Sequence, residues 1–402
     1  MTTSPTPAAN LPHFASALST EADGPAAIEE VCRAALEQLG GPPDLALVFI
    51  SPQHGSELKP FAQRLCDRLE TECVLGCTGE AIVGGGTEVE GAPAIALWTA
   101  RLPNVQVAPF RLEFARTAEG GTFVGWSDSL PEAWPKDAAV LLLGEPYTFP
   151  ADELIRRLNE DKAGVPVLGG MASGGNGPGE NQILLGREVY SSGAVAVYLQ
   201  GRLKIRTVVS QGCRPVGRTF IITKAEQNVI RELSGQPAMT QLQAVFAELS
   251  PAEQQMVRRG LHVGQVLSEY KDHFGRGDFL VRNVIGADPD SGAIAIGDFV
   301  RPGQTVQFHI RDADSADEDL RELLRGAGVP TETRGRGGLL FTCNGRGTRL
   351  FSEPNHDAAA VQAAVGAIPL AGFFAQGEIG PVAGRNFLHG FTASIALFEP
   401  GE

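Results

Sequence analysis

Three times along this 402-residue chain, an apolar strand leads after a helix-sized gap into a second apolar stretch that ends in a Gly-rich turn. The first copy reads Leu45-Ala-Leu-Val-Phe-Ile50, then Val74-Leu-Gly-Cys-Thr-Gly-Glu80. The second reads Ala139-Val-Leu-Leu-Leu143, then Val167-Leu-Gly-Gly-Met-Ala-Ser-Gly174. The third reads Leu339-Leu-Phe-Thr-Cys343, then Leu370-Ala-Gly-Phe-Phe-Ala-Gln-Gly-Glu378. A repeated strand–helix–strand unit whose turns converge is how α/β proteins build ligand pockets. The repeat therefore points to a binding protein before it points to an enzyme.

The intervening sequence fits that architecture. Helical spacing runs from Pro25 to Leu39 and stops at Gly40-Gly-Pro-Pro43, and amphipathic helices are predicted over Glu57–Glu70, Pro150–Glu160 and Ser315–Gly326. Apolar or alternating runs predict strands at Ala92–Ala100, Val105–Leu112, Val195–Leu199, Leu203–Ser210, Phe279–Ile285, Ala293–Ile296, Thr305–Ile310 and Phe391–Phe398. From Ala225 to Gly260 the reading is helical, in short pieces over Val229–Leu233, Gln241–Leu249 and Gln254–Arg259. Mixed alternation among these runs predicts an α/β fold with mixed β-sheets flanked by helices, in two related halves. The length favours more than one domain. Residues 1–24 are read as a flexible tail, 25–212 as one domain and 213–402 as a second.

Charge and composition remove several function classes. A net charge of −14 disfavours phosphate neutralisation, so no nucleic-acid partner is expected. No apolar run approaches the roughly 20 residues that span a bilayer, and Met1–Asn10 lacks the basic and apolar regions of a signal peptide. Neither membrane insertion nor export is expected. Six cysteines (Cys32, Cys66, Cys73, Cys77, Cys213, Cys343) in so long a chain read as reduced thiols in the cytoplasm. Arg276-Gly-Asp278 reads as a chance tripeptide in that setting.

No catalytic or nucleotide motif is as organised as the turns. The glycines match neither G-x-G-x-x-G in its dinucleotide-binding context nor the P-loop, and no serine sits in a G-x-S-x-G elbow. Cys73 and Cys77 lack the second ligand pair of a zinc site, and none of the seven histidines has metal spacing, so no metal is expected. No cofactor is expected either, with haem left open because an axial ligand needs only one His in an apolar pocket. His262, His309 and His389 lie near apolar segments. Cys343, at a strand exit beside Arg346, is the candidate nucleophile if the chain is a cysteine-dependent enzyme. Glu80 and Glu378 read as equivalent acids of the first and third turns.

Val74-Leu-Gly-Cys-Thr-Gly-Glu80, Gly212-Cys-Arg-Pro-Val-Gly217, Phe279-Leu-Val-Arg-Asn-Val-Ile285, Gly338-Leu-Leu-Phe-Thr-Cys-Asn-Gly-Arg-Gly347 and Leu370-Ala-Gly-Phe-Phe-Ala-Gln-Gly-Glu-Ile-Gly380 together resemble the FIST family of sensory domains. The likeness runs over about residues 27–398, with the motifs in the family's order. It implies an N-terminal and a C-terminal FIST domain and a small ligand, an amino acid or similar metabolite. Some family members carry haem and sense nitric oxide, and a eukaryotic branch joins the fold to an F-box. Both halves consume the chain, so signalling is expected through a protein partner in trans.

These readings predict a ligand site of Cys77, Thr78, Gly79 and Glu80 facing Cys343, Asn344, Gly345 and Arg346, with Gln376, Gly377 and Glu378 completing the wall. Arg346 would hold a ligand carboxylate, the geometry a guanidinium suits. Glu80 or Glu378 would hold an ammonium. The second turn, nearly all small residues, would be their close-packed neighbour.

Overall fold

The computed structural model describes residues 11–117, 120–271, 273–275, 277–328 and 335–401. Met1–Asn10 and Arg276 of the Arg-Gly-Asp tripeptide lie outside the described residues. The fold is mixed α/β with mixed sheets, built on strand–helix–strand units as the sequence predicts. The chain separates into two compact units. Unit 1 comprises residues 1–209, 321–388 and 392–402, and unit 2 comprises 210–320 and 389–391.

Unit 1 holds all three sequence copies. Copy 1 is β1 (His13–Ser19), α1 (Gly24–Leu39), β2 (Leu45–Ile50), α2 (Leu58–Leu69), β3 (Val74–Thr78), the hairpin β4 (Ala81–Gly84) and β5 (Thr87–Glu90), and β6 (Ile95–Arg101). Copy 2 is β7 (Val105–Thr117), β8 (Gly120–Val124), β9 (Ala138–Gly144), α3 (Ala151–Asp161), β10 (Val167–Met171), the hairpin β11 (Ile183–Leu185) and β12 (Glu188–Tyr190), and β13 (Ala194–Gly201). Copy 3 opens with β14 (Leu203–Ser210), and the chain then passes into unit 2.

Unit 2 contains β15 (Cys213–Glu226), β16 (Val229–Leu233), β17 (Gln236–Pro237), α4 (Ala238–Glu248), α5 (Pro251–Arg259), β18 (His262–Val266), β19 (Phe279–Asp288), β20 (Ala293–Ile296) and β21 (Thr305–Arg311). Its seven strands run β15-β21-β18-β19-β20-β16-β17, and β15 also pairs with β16, so the sheet closes on itself around Val216, Phe220, Ile222, Val263, Ile294 and Phe308. Val229–Leu233, read above as helical, is a strand. Gln227 adopts φ +53°, turns the chain, and lets Val229–Leu233 pair back on Ile222–Glu226. Three apolar residues in five fit a half-buried strand as well as one helix turn.

The chain re-enters unit 1 within α6 (Ala313–Gly326) and completes copy 3 with β22 (Gly337–Cys343), α7 (His356–Val365), β23 (Leu370–Ala375), the hairpin β24 (Glu378–Val382) and β25 (Arg385–His389), and β26 (Ala393–Pro400). The sheet of each copy has one order: edge strand, last strand, first parallel strand, second parallel strand, hairpin. These are β1-β6-β2-β3-β11-β12, then β7-β13-β9-β10-β24-β25, which β8 extends beyond β7 as a seventh strand, then β14-β26-β22-β23-β4-β5. In none of them does the hairpin come from its own copy. Copy 2 gives its hairpin to the sheet of copy 1, copy 3 gives to copy 2, and copy 1 gives to copy 3.

This cyclic exchange explains the sequence pattern. In register, Val48, Leu142 and Leu340 sit opposite Gly76, Gly169 and Gly372. The neighbouring Leu47, Phe49, Leu141, Leu143, Leu339 and Phe341 all enter one shared core, with Phe49 stacked on Phe373. The opposite faces pack under helices: Ala46, Val48 and Ile50 lie with Ile28, Val31 and Phe61 of α1 and α2, and Val140 and Leu142 lie with Leu154 and Ile155 of α3. Strands covered on both faces read as continuous apolar runs.

The equivalent glycines are required by backbone approach. A Cβ would lie 2.4 Å from the Val48 carbonyl oxygen at Gly76, 1.9 Å from that of Leu142 at Gly169 and 1.7 Å from that of Leu340 at Gly372. Gly372→Ala is expected to lower the stability of unit 1 by about 1–3 kcal/mol. All three tryptophans (Trp98, Trp126, Trp134) belong to unit 1, so fluorescence-detected urea unfolding reads it, and an unchanged midpoint would contradict the close approach.

Residues 11–24, assigned from sequence to a flexible tail, are structured. His13–Ser19 pairs along its full length with β6, and the Asp23 side chain accepts the Ala26 N–H at 2.9 Å to cap α1. One strand of alternating small and apolar residues beside a Pro-rich start is too short a signal to separate from a tail.

Candidate functional site

The carboxyl ends of all three parallel pairs meet at one cavity of about 750 Å³, wholly within unit 1. Copy 1 contributes Pro52, Gln53 and Glu80, copy 2 contributes Tyr147, Gly174 and Asn176, and copy 3 contributes Asn344, Thr348, Arg349 and Gln376. Glu90 and Phe374 complete the charged and aromatic parts of the wall. Open α/β sheets bind ligands at this end of their strands.

Main-chain bonds and one serine hold the turns together. Ser173 is fully buried, accepts the Glu80 N–H at 2.8 Å and donates its hydroxyl to the Phe374 carbonyl, so the second turn ties the first to the third. The Gln376 N–H donates to the Met171 carbonyl at 3.0 Å, and the Met171 N–H donates to Gly377 at 2.8 Å. Registration on Gly76, Gly169 and Gly372 makes Glu80, Ser173 and Gln376 the equivalent residues. Glu378 instead faces Gly170 across the sheet, the place that Ile183 and Ile82 take in the other two sheets. The pairing of Glu80 with Glu378 as equivalent acids is therefore corrected. Glu378 is fully buried and accepts both the N–H (3.0 Å) and the hydroxyl (2.6 Å) of Thr392.

The remaining expected residues divide in the same way. Cys77 lies in the core, where burial pushes its thiol well above the usual range. The Thr78 hydroxyl accepts the Gln182 N–H at 3.1 Å, and Gly79 packs on Phe373 with no room for a side chain. Gly377 supplies main chain to the turn contacts. Glu80, Asn344 and Gln376 line the cavity. Cys343 and Gly345 form the turn above β22, the Gly345 N–H lying 3.4 Å from the Cys343 sulfur.

Arg346 does not reach the cavity. Its side chain is fully buried and grips Asp357 with two bonds, Nε to Oδ2 at 2.6 Å and Nη2 to Oδ1 at 2.8 Å. The Thr342 hydroxyl donates to the same carboxylate at 2.6 Å, and His356 Nδ1 lies 2.9 Å from Oδ1. Arg346 and these bonds outweigh burial and hold Asp357 below the usual carboxylate range. Glu88 is also buried there, with its Oε1 accepting the Ala358 N–H at 2.8 Å. Burial and the Asp357 charge push its carboxyl up to about 7.

Arg349, three residues on, is the cavity's guanidinium. It pairs with Glu80 and donates to the Asn344 carbonyl at 2.8 Å, and its charge reaches Cys343. Glu90 accepts the Thr348 N–H at 2.9 Å and its hydroxyl at 2.7 Å. Gly347, at φ +58°, makes that approach feasible, because a Cβ there would sit 2.7 Å from Glu90 Oε1. Gln376 donates to the Tyr147 hydroxyl at 3.1 Å. The buried Asn344 Oδ1 has no hydrogen-bond partner among the described residues.

Sequence reading missed Arg349, Glu90, Thr348, Tyr147 and Gln53. Aligning the first-strand exits, Ser51-Pro-Gln53, Glu145-Pro-Tyr147 and Cys343-Asn-Gly345, would have found Gln53 and Tyr147. Nothing local distinguishes Arg346 from Arg349, because the carboxylate that claims Arg346 is eleven residues away.

Cys32 and Cys73 are pushed up to about 12 and Cys66 to about 11, mainly by burial, so these thiols are poor nucleophiles. In unit 2, His262 and His309 face each other on adjacent strands and are driven down to about 4 by burial, which keeps both imidazoles neutral. Among the described residues no group of three or more His, Cys, Asp or Glu side chains could hold a metal ion, and no helix is long and apolar enough to cross a membrane.

The sequence matches the FIST N domain over residues 44–236 and the FIST C domain over residues 238–381. The chain belongs to the FIST family. FIST domains are associated with sensory signal transduction, and a sensor role is consistent with that. The chain is 44% identical over 373 residues to the uncharacterized protein Rv0628c of Mycobacterium tuberculosis, covering 93% of this chain and 96% of the relative. It is 42% identical over 373 residues to the uncharacterized protein Mb0898c of Mycobacterium bovis, covering 93% and 95%. Each FIST match draws on unit 1 and unit 2 alike, because unit 2 is inserted between β14 and β22.

Proposed function

We propose that this FIST protein is a cytosolic sensor that takes an amino acid or similar polar metabolite in the cavity at the strand exits and signals through a protein partner. One observation carries the reading: strand exits from all three copies bring Arg349, Glu80 and Glu90 to one cavity rimmed by amides and a phenol. Arg349 would receive the ligand carboxylate and Glu80 or Glu90 its ammonium. The exposed Glu80–Arg349 pair is worth at most about 1 kcal/mol, so its exchange for ligand contacts costs little. Asn344 and Gln376, which line the cavity, would supply neutral contacts that set orientation.

Calorimetric titration with a panel of amino acids and organic acids tests the reading. A hit should bind at least about tenfold more weakly to Arg349→Ala and to Glu80→Gln, the loss of one charge-assisted hydrogen bond. Equal affinity in both variants would reject the site. Titration with haem addresses the alternative sensor: a Soret band abolished by His262→Ala would move the ligand to unit 2. Rapid alkylation of Cys343 at neutral pH, blocked by the hit, would favour cysteine chemistry instead.

A further inference from the structure

A second cavity of about 750 Å³ opens in unit 1 near the opposite, amino-terminal ends of the copy 2 parallel strands. Its charged lining is Lys136, Arg202 and Lys204 against Asp137, three cations to one anion, or +2. The whole chain carries −14, so this concentration of positive charge runs against the average. Neither Lys136 nor Arg202 forms an ion pair among the described residues. Lys204 lies 3.3 Å from Glu399, but that carboxylate also serves Arg206 and stands 3.9 Å from Arg336. One acid shared by three cations leaves Lys204 incompletely neutralised.

The backbone around Arg202 is fixed from both sides. Its N–H donates to the Asn104 carbonyl at 3.3 Å, and its own carbonyl accepts the Gly401 N–H at 3.2 Å. Gly201, at φ +135°, closes the turn between β13 and β14, and a Cβ there would lie 2.3 Å from the Asn104 oxygen. The cation therefore projects from a built turn. Pro166 and Leu203 add apolar surface to the same cavity.

We propose that this cavity is a binding site for a small organic phosphate, with the phosphate groups on Arg202, Lys136 and Lys204 and an apolar or planar body against Pro166 and Leu203. A guanidinium fork with two ammonium groups suits a multiply charged phosphate. A lone carboxylate would leave two of the three cations unmatched. The site is separate from the strand-exit cavity and does not depend on the ligand proposed there.

ADP and inorganic pyrophosphate are the probes, titrated calorimetrically into the full chain at low salt. Both should bind, ADP more tightly, and affinity should fall as salt is raised. Lys136→Ala/Arg202→Ala should weaken ADP binding at least tenfold without altering the unfolding midpoint, while Arg349→Ala should leave it unchanged. The proposal is overturned if neither probe binds, if the double variant binds as the parent does, or if Arg349→Ala removes binding. Tighter binding of citrate than of both phosphates would overturn the phosphate assignment.

Discussion

Arg346→Ala should destabilise unit 1 by about 3–5 kcal/mol, whereas Arg349→Ala should change its stability by less than about 1 kcal/mol. The two arginines share a loop and differ in where their charge ends. Removing the buried Arg346 side chain leaves the Asp357 carboxylate inside the protein with Thr342 and His356 as its remaining side-chain partners among the described residues. A buried carboxylate that loses its cation costs far more than the pair contributes net. The Arg349 side chain is 59% exposed and its partner Glu80 34% exposed, so water replaces what the substitution removes. Tryptophan-detected urea unfolding separates the cases. Equal, small effects would mean that the buried Arg346–Asp357 pair does not anchor unit 1, and a large loss in Arg349→Ala would place Arg349 in the framework, not at the ligand.

The second large effect concerns pH. Glu88 keeps its proton to about 7 when folded and loses it near 4.5 when unfolded. Between those values the native state binds the extra proton, so stability falls as pH rises and levels off above about 7. Two to three pKa units correspond to about 3 kcal/mol. Asp357 has the opposite sign: its folded value is depressed, so its contribution is present at neutral pH and is lost only in strong acid. Asp357 and Glu90 raise Glu88 while His356 and the Ala358 N–H lower it, so the direction reflects burial and the neighbouring acids outweighing those two. Glu88→Gln retains an acceptor for Ala358 and has no proton to lose. Urea midpoints measured from pH 5 to pH 8 should decline for the parent chain and stay nearly level for Glu88→Gln, apart from titrations common to both. Parallel profiles would remove Glu88 as their source.

Much of the framework was legible because parallel strands covered on both faces announce themselves as apolar runs. The helix stop at Gly40 and before Pro43 is a local signal, whereas the need for glycine at 76, 169 and 372 comes from the carbonyl of a neighbouring strand and shows only in the fold. The exchange of hairpins was not legible. Ala81–Gly84 pairs with Gly372 and its neighbours almost 300 residues away, and no short-range pattern encodes which of three similar sheets a hairpin joins. The insertion of unit 2 was hidden for the same reason, since it interrupts copy 3 between two strands that never pair with each other. At the site, Glu80, Asn344 and Gln376 lie where the turns suggested. Arg346 and Glu378 were drawn inward by Asp357 and Thr392, partners that only the fold identifies.

Backbone hydrogen exchange with and without the tightest-binding amino acid or organic acid tests the central claim most directly. Binding at the converging exits should slow exchange together at Glu80–Ala81, Gly174–Asn176, Asn344–Arg349 and Gln376, segments from all three copies. Slowing confined to unit 2, or to one copy alone, would contradict a ligand site built from the threefold repeat.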